Sequence, residues 1–182
     1  MRVIAGLYKN RSLAYPKNIR PASQLQKKAI FDIIRPWLTN QNFLDLCAGS
    51  GQIGIEALSQ GAVSVTFVEK ISSHLAVLKS NLRLLKIPAS RYQIKKTTVR
   101  RYISFSDQRH DIIFADPPYF DIDWTEFIEI NKIMHPDSIF ILKFSPHQPP
   151  PVFPRLQIFK TKIFKDTHIN FYQPYVTPLS NH

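Results

Sequence analysis

Cysteine and acidic residues are both scarce in this 182-residue sequence. Cys47 is the single cysteine, which excludes an intramolecular disulfide framework and indicates a protein of the reducing cytoplasm. Only 13 Asp and Glu residues accompany 24 Lys and Arg residues, so the formal net charge is +11. Because clustered cations bind phosphates by releasing counterions, this imbalance predicts a polyanionic partner. The alternative is a basic surface that serves only solubility.

Membrane, metal and repeat patterns are absent as well. No stretch approaches the roughly 18 apolar residues that a membrane helix needs, and no signal peptide opens the sequence. The six histidines are scattered without the spacing of metal ligands, so we predict no metal site. We find no internal repeat, and expect one cytoplasmic domain over residues 1–182, with a basic arm at 1–20 and a catalytic core at 21–182.

Short apolar runs alternate with helical patterns along the core. Five runs predict parallel strands and two at the end predict an antiparallel pair: 43–46, 63–68, 92–94, 111–115, 138–144, 156–164 and 168–176. Apolar residues between the runs recur at helical spacing, first after a Ser23 N-cap and last over 124–134. The sequence therefore predicts an α/β protein with a Rossmann-like, mostly parallel seven-stranded sheet and helices on both faces.

The basic arm carries five cations and no acid: Arg2, Lys9, Arg11, Lys17 and Arg20. Tyr8 and Tyr15 stand among them, and cations mixed with stacking rings suit RNA backbone and unpaired bases. Two short runs, 3–8 and 11–15, predict a basic N-terminal hairpin. Lys27 and Lys28 would extend its cationic surface. An edge hairpin with merely solvated charges is the alternative.

A glycine-rich turn follows the first strand. Gly49-Ser50-Gly51-Gln52-Ile53-Gly54 satisfies G-x-G-x-x-G, in which glycines let a ligand approach the backbone. Glu69 ends the second strand about 20 residues on, where nucleoside-binding sheets hold ribose hydroxyls. Asp45 precedes the turn, and a carboxylate there would repel a pyrophosphate but could orient an amino-bearing ligand.

A stiff turn follows the fourth strand, at Asp116-Pro117-Pro118-Tyr119. Each proline ring fixes φ and neither nitrogen can donate, so the turn presents a carboxylate, a carbonyl and a ring rigidly. This set suits a flat, amino-bearing group, with two acceptors for its N–H donors and a ring for stacking. A structural Pro-Pro corner with a capping Asp is the alternative.

These motifs resemble those of the class I S-adenosylmethionine-dependent methyltransferases. The run 44–51 is similar to their first motif, and 116–119 is similar to their amino-methylation motif. Within that superfamily, Arg2-Val3-Ile4-Ala5-Gly6, Arg20-Pro21, Phe31 and the run 45–58 resemble the bacterial RsmD-like 16S rRNA (guanine-N2)-methyltransferases. The resemblance covers roughly residues 2 to 144.

The resemblance implies a role for each site residue. Glu69 would bind both ribose hydroxyls of S-adenosylmethionine and Asp45 would lie near its amino group. The remaining cofactor contacts would be Cys47, Ala48, Gly49, Ser50, Gly51, Lys70 and Thr98. Asp116 and the carbonyl of Pro117 would accept the two N–H groups of a guanine 2-amino group, while Tyr119 stacks on the base. Cys47 has no basic partner in the sequence, so it is interpreted as a packing residue rather than a nucleophile.

The resemblance also implies the partner, which is 16S rRNA in the small ribosomal subunit or its assembly intermediate. The RNA contacts would be Arg2, Lys9, Arg11 and Arg20. We expect the protein to act as a monomer and to bind no membrane. The chain departs from the family pattern at Ala22, Lys28 and Thr98. Two other functions therefore stay open: adenine-N6 methylation of RNA or DNA, which uses the same turn, and RNA binding on a catalytically degenerate fold.

Overall fold

The computed structural model describes residues 1–16, 23–118 and 122–175. Four α-helices lie within these residues: α1 (Gln24–Leu38), α2 (Gln52–Ser59), α3 (Ser72–Leu84) and α4 (Val99–Phe105). The strands are β1 (Asn42–Leu46), β2 (Ser64–Val68), β3 (Tyr92–Lys95), β4 (His110–Ala115), β5 (Met134–Phe144), β6 (Leu156–Phe164) and β7 (Thr167–Pro174). Three short 3-10 helices cover Ala89–Arg91, Trp124–Phe127 and Ile130–Ile133. Among the described residues, no helix is long and apolar enough to cross a membrane.

The seven strands form one sheet in the order β3-β2-β1-β4-β5-β7-β6. Strands β1 to β5 pair in parallel, and β7 lies antiparallel between β5 and β6. The predicted mostly parallel sheet with an antiparallel C-terminal pair is therefore confirmed. The strand order reverses between β1 and β4, and open α/β sheets bind ligands outside the carboxyl ends of the strands at such a switch point.

Two apolar clusters lie on opposite faces of the sheet, because successive strand side chains point to opposite sides. Phe43 belongs to the cluster under α1, α2 and α3, whereas its neighbour Leu44 belongs to the cluster under α4. Ile112 and Ile113 in β4 divide in the same way. Helices cover both faces, so the central strands are buried on both sides and read as continuous apolar runs.

The segment 124–134 differs from its prediction. The helix predicted there is wrong: two 3-10 helices and the start of β5 stand in its place. Trp124, Phe127, Ile130 and Ile133 recur every third residue, and all four contact the cluster under α4. A period of three fits the three residues per turn of a 3-10 helix better than the 3.6 of an α-helix.

The N-terminal segment also departs from its prediction. The two strands predicted at 3–8 and 11–15 are not formed; pairing is limited to one antiparallel bridge between Arg2 and Ser12, so a hairpin is not confirmed. The backbone N–H groups of Ile4 and Ala5 instead donate to the carboxylate of Glu56, at 3.0–3.1 Å. Donors committed to a side chain cannot form a strand ladder.

Two further polar side chains, those of Ser59 and Asn81, dock residues 1–16 on the core. Ser59 Oγ accepts the N–H of Tyr8 at 2.9 Å. The Asn81 side chain accepts the N–H of Ala14 and donates to its carbonyl, each at 2.9 Å. Asn81 Nδ2 also donates to the carbonyl of Ser50 at 3.0 Å, so one amide joins the segment to the glycine-rich turn.

Lys27 does not extend a cationic surface, contrary to the prediction. Its side chain is fully buried, and Nζ lies 3.2 Å from Oε2 of the equally buried Glu56. Nζ also donates to the carbonyl of Arg2 at 2.7 Å. The pair therefore holds α1, α2 and residues 1–16 together, while Lys28 is exposed and pairs with Asp32 on α1.

Candidate active site

Three loops leave the carboxyl edge of the sheet at one level. Leu46 at the end of β1 pairs in register with Val68 of β2 and with Ala115 of β4. Cys47, Glu69 and Asp116 therefore follow neighbouring strands at the same height. The sheet brings together the glycine-rich turn, the acid after β2 and the Asp-Pro-Pro turn at the switch point, as the sequence predicts.

The glycine-rich turn is tight, and its second and third glycines pack against neighbouring side chains. Cys47, Gly49 and Gly51 have left-handed φ angles of 59°, 55° and 79°. A Cβ on Gly51 would lie 2.2 Å from Cδ1 of Leu78, and one on Gly54 would lie 2.3 Å from Cε1 of Phe67. These two glycines are required for the close packing of α2, so not every glycine of the pattern is there for a ligand.

Asp45 supports the first turn of α2. Its side chain is 2% exposed, and Oδ2 accepts the N–H of Gly54 at 2.9 Å. Gly51 at the N-cap of α2 makes no side-chain cap, so Asp45 satisfies one of the N–H groups that a helix start leaves open. Burial raises the pKa of Asp45 well above its usual value, and the nearby carboxylates of Asp116 and Glu69 raise it further.

Glu69 joins the glycine-rich turn to α3. Oε2 accepts the N–H of Gly49 and Oε1 accepts the N–H of Ile71, both at 2.8 Å. His74 Nδ1 lies 3.5 Å from Oε2. A carboxylate offers about four acceptor positions, so two backbone donors leave capacity for further donors. Lys70 follows it and is exposed.

Negative charge concentrates around Cys47. Burial raises the pKa of this thiol, and the carboxylates of Glu69, Asp116, Glu126 and Asp45 raise it further. The thiol therefore stays protonated and is not a nucleophile, which agrees with the interpretation of Cys47 as a packing residue. A chain with a net charge of +11 thus has an acidic site, which suits a cationic ligand.

The Asp116 carboxylate pairs with a lysine that the sequence reading did not single out. Lys143 Nζ lies 2.7 Å from Oδ2 of Asp116, and the Lys143 side chain is 5% exposed against 26% for Asp116. Ala115 pairs with Leu142 in register, so the two charged residues follow paired positions on β4 and β5. Pro117 is buried and Pro118 exposed, while Tyr119 lies outside the described residues.

The two threonines after β3 differ from each other. Thr98 is exposed, and its hydroxyl caps α4 by accepting the N–H of Arg101 at 3.2 Å. Thr97 Oγ1 is buried and has no hydrogen-bond partner in the described part of the chain. An unpaired buried hydroxyl is costly unless a ligand satisfies it. Thr97 therefore suits a ligand contact better than the predicted Thr98.

Three of the four predicted RNA contacts lie on residues 1–16, the segment that Asn81 joins to the glycine-rich turn. Arg2, Lys9 and Arg11 are exposed, and the described residues provide no ion-pair partner for them. Arg20 lies outside the described residues.

Sequence reasoning missed Lys143 and Glu126. Lys143 could have been noticed as the one cation in the apolar run 139–144. Glu126 stands in the segment that was predicted as an α-helix. The orphaned hydroxyl of Thr97 is a property of packing that no sequence pattern carries.

Comparisons with known proteins bear on the family and the fold of this chain. A family model described as "Conserved hypothetical protein 95" matches residues 1–173. A Bacillus subtilis protein provisionally named as the rRNA methyltransferase YlbH is 37% identical over 124 residues, covering 65% of this chain and 67% of the relative. The ribosomal RNA small subunit methyltransferase D of Haemophilus influenzae is 33% identical over 123 residues, covering 65% of this chain and 64% of the relative. The match thus spans about two thirds of these relatives.

A solved structure from Escherichia coli, provisionally titled as the methyltransferase yhhF, superimposes with a TM-score of 0.86. The superposition covers 97% of this chain and 99% of that one at 24% identity. At that identity the likeness supports the fold alone.

Proposed function

The chain belongs to the family described as conserved hypothetical protein 95, that of the RsmD-like class I methyltransferases, and we propose that it methylates the N2 amino group of a guanine in 16S rRNA. The observation that carries the proposal is the juxtaposition of the Asp116 turn with the glycine-rich turn at the switch point. The methyl donor would be S-adenosylmethionine.

The residues present fit this cofactor. Its sulfonium and α-ammonium groups are cationic, and Asp45, Glu69 and Asp116 place three acidic side chains at the carboxyl edge of the sheet. The buried hydroxyl of Thr97, which has no hydrogen-bond partner among the described residues, could bind a polar group of the cofactor beside β3. Thr97 or Thr98 would lie near the adenine base of the cofactor. The other residues that would hold the cofactor are Asp45, Cys47, Ala48, Gly49, Ser50, Gly51, Glu69 and Lys70. When bound, the cofactor supplies an electrophilic methyl group, so the protein has to align and stabilise rather than activate.

Asp116 would orient the target amino group. Its Oδ2 is held by Lys143, which leaves Oδ1 as the acceptor for one amino N–H, and the carbonyl of Pro117 would take the other. Two fixed acceptors direct the nitrogen lone pair, which is otherwise delocalised into the base, and stabilise the positive charge that develops on that nitrogen. Tyr119 would stack on the base, which has to leave its helix or loop to enter the site.

Lys143 acts on the orientation of the carboxylate. An ammonium 2.7 Å from Oδ2 restricts rotation of the Asp116 side chain, so the free oxygen keeps one direction. Such preorganisation removes reorientation from the barrier of the transfer step.

The basic N-terminal segment would contact the RNA backbone through Arg2, Lys9, Arg11 and Arg20. Glu56 and Lys27 anchor this segment, so its exposed cations are carried on a fixed support. The substrate would be the small ribosomal subunit or its assembly intermediate, met in the cytoplasm by a monomer.

A titration and a transfer assay test the proposal. Calorimetry with S-adenosylmethionine should show binding; no binding at millimolar cofactor would leave only RNA binding on a degenerate fold. The purified protein, labelled cofactor and unmethylated 16S rRNA should then yield labelled N2-methylguanosine. Labelled N6-methyladenosine would instead identify an adenine enzyme.

A further inference from the structure

We propose that the sheet edge formed by α3 and β3 is a second RNA-backbone contact, in addition to the cations of the N-terminal segment. The inference rests on the proposed function in one respect: it takes the polyanion to be the RNA substrate. It concerns a surface for which neither the sequence motifs nor the Asp116 turn provides a role.

The first observation is the distribution of charge. Residues 70–106 contain no Asp or Glu and nine cations: Lys70, Lys79, Arg83, Lys86, Arg91, Lys95, Lys96, Arg100 and Arg101. The rest of the chain has fifteen cations against thirteen acids. Most of the net charge of +11 therefore belongs to the segment that forms α3, β3 and α4. A single-sign surface of this kind attracts a polyanion over many ångströms.

Three of these nine cations have internal partners among the described residues. The Arg101 guanidinium lies 5.8 Å from the centroid of the Phe105 ring. Arg91 donates to the carbonyls of Ala62 and Val63, and Arg100 pairs with Asp123 at 3.0 Å. Six exposed cations have no ion-pair partner in the part of the chain that the structure describes: Lys70, Lys79, Arg83, Lys86, Lys95 and Lys96. Their charge is thus available to an external anion.

The second observation is a groove at this edge. Lys79, Arg83, Tyr92 and Ile94 line a space of about 400 Å³ between α3 and β3. Residues four apart on a helix share one face, about 6 Å apart, so Lys79 and Arg83 present two charges side by side. Tyr92 adds a half-buried ring beside them. Cations next to an aromatic ring are the elements with which proteins bind single-stranded RNA.

Two further cations, Lys95 and Lys96, follow the groove residues of β3 toward the carboxyl edge of the sheet, where the candidate active site lies. β3 is an edge strand of the sheet. Its last residue, Lys95, lies beside Glu69, because the N–H of Glu69 donates to the carbonyl of Lys95 at 3.2 Å. Lys70 and Lys96 thus stand at the carboxyl edge, with Lys79 and Arg83 along α3. One RNA segment could follow these cations away from the site, while the N-terminal segment holds another.

The test compares two double variants with the same net charge. Lys79→Ala/Arg83→Ala removes the two groove cations. Lys160→Ala/Lys165→Ala is the control, because both lysines are exposed at the opposite edge strand β6 or the turn after it. The probe is 16S rRNA transcribed in vitro, and binding is measured by fluorescence anisotropy at several salt concentrations. Each phosphate contact contributes about one to the slope of log affinity against log salt.

The groove variant should bind at least about tenfold more weakly, with a salt slope shallower by about two, while the control behaves as wild type. Its affinity for S-adenosylmethionine should be unchanged, which shows that the fold is intact. Equal behaviour of the two variants would overturn the inference, since either the edge makes no contact or only net charge matters. If the wild type itself fails to bind 16S rRNA, the proposed function fails instead.

Discussion

Lys143 Nζ lies 2.7 Å from Oδ2 of Asp116, on neighbouring parallel strands, and this pair sets the direction of the carboxylate in the candidate active site. The lysine is almost fully buried, whereas the carboxylate is a quarter exposed. The acid therefore faces the open side of the site while the cation stays behind it. The pair suggests that orientation of Asp116, and not only its presence, matters for transfer.

Replacing Lys143 with Met should lower kcat by about tenfold to a hundredfold, because a freely rotating carboxylate is no longer aligned with the amino group. The affinity for S-adenosylmethionine should change little. Steady-state kinetics and calorimetric titration check the two expectations. Lys160→Met on β6 is the matched control and should behave as wild type. An unchanged kcat in Lys143→Met would show that Asp116 is oriented without the lysine.

Cofactor binding should release a proton from Asp45. Burial raises the pKa of this carboxyl, so it binds a proton more readily than an exposed acid. A cationic α-ammonium beside it would favour the charged form and lower that pKa. Calorimetry over a series of pH values, each in two buffers of different ionisation enthalpy, measures the released protons.

Asp45→Asn serves as the control for this measurement, because the amide oxygen can still accept the N–H of Gly54. Proton release should vanish in that variant, and the cofactor should bind the wild type more tightly as pH rises. Equal release from both proteins would mean that Asp45 only supports the turn.

Substitutions at Lys27 and at Glu56, which form a buried ion pair, should both destabilise the fold, and the substitution at Glu56 should cost more. In Glu56→Gln, the buried Lys27 ammonium loses the carboxylate charge that pairs with it and keeps only neutral acceptors, such as the carbonyl of Arg2, so the loss should be about 3 kcal/mol. In Lys27→Met, Glu56 still accepts from Ile4, Ala5 and the Gln60 side chain, so the loss should be smaller. Urea unfolding measures the free energy of unfolding of both variants. A larger loss in Lys27→Met than in Glu56→Gln would contradict the view that Glu56 makes the more important contacts.

Stability should fall with acid because of His110. Burial lowers its pKa from 6.5 to about 4, with a smaller contribution from His135, although Asp111 acts in the opposite direction. The unfolded chain therefore binds a proton that the folded chain refuses between these values. The stabilisation is present above about pH 6.5 and is lost by about pH 4, a change of roughly 3 kcal/mol.

Urea unfolding of wild type and His110→Asn across that range isolates this contribution from those of the carboxylates. The difference between the two proteins in the free energy of unfolding should shrink as pH falls. A difference that is independent of pH would show that the pKa of His110 is the same in the folded and the unfolded chain.

Chemistry at strand ends could be predicted from the sequence, whereas pairing between distant elements could not. The glycine-rich turn, Glu69 and Asp116 each follow an apolar run, and parallel strands place their carboxyl ends together. Lys143 contacts Asp116 across 27 positions, and Glu56 contacts Ile4 across 52. Such contacts depend on register and packing, which no local pattern encodes.

Local periodicity alone does not predict the structure of segments in which tertiary packing selects between two types of helix. Apolar residues every third position at 124–133 fit two 3-10 helices on the sheet, yet the same residues partly match an α-helical stripe. The sequence predicts that Lys27 and Lys28 both belong to the cationic surface, but Lys27 is buried and only Lys28 is exposed. Sequence spacing places both on the helix, but only the position of Glu56 shows which one turns inward.

The most direct test is the mapping of modified nucleosides in 16S rRNA from cells that lack this chain and from cells in which it is restored. The account predicts that one N2-methylguanosine disappears without the chain and returns with the wild type, but not with Asp116→Ala/Lys143→Met, in which the acceptor and its partner cation are removed together. An N2-methylguanosine content that is the same with and without the chain would contradict it.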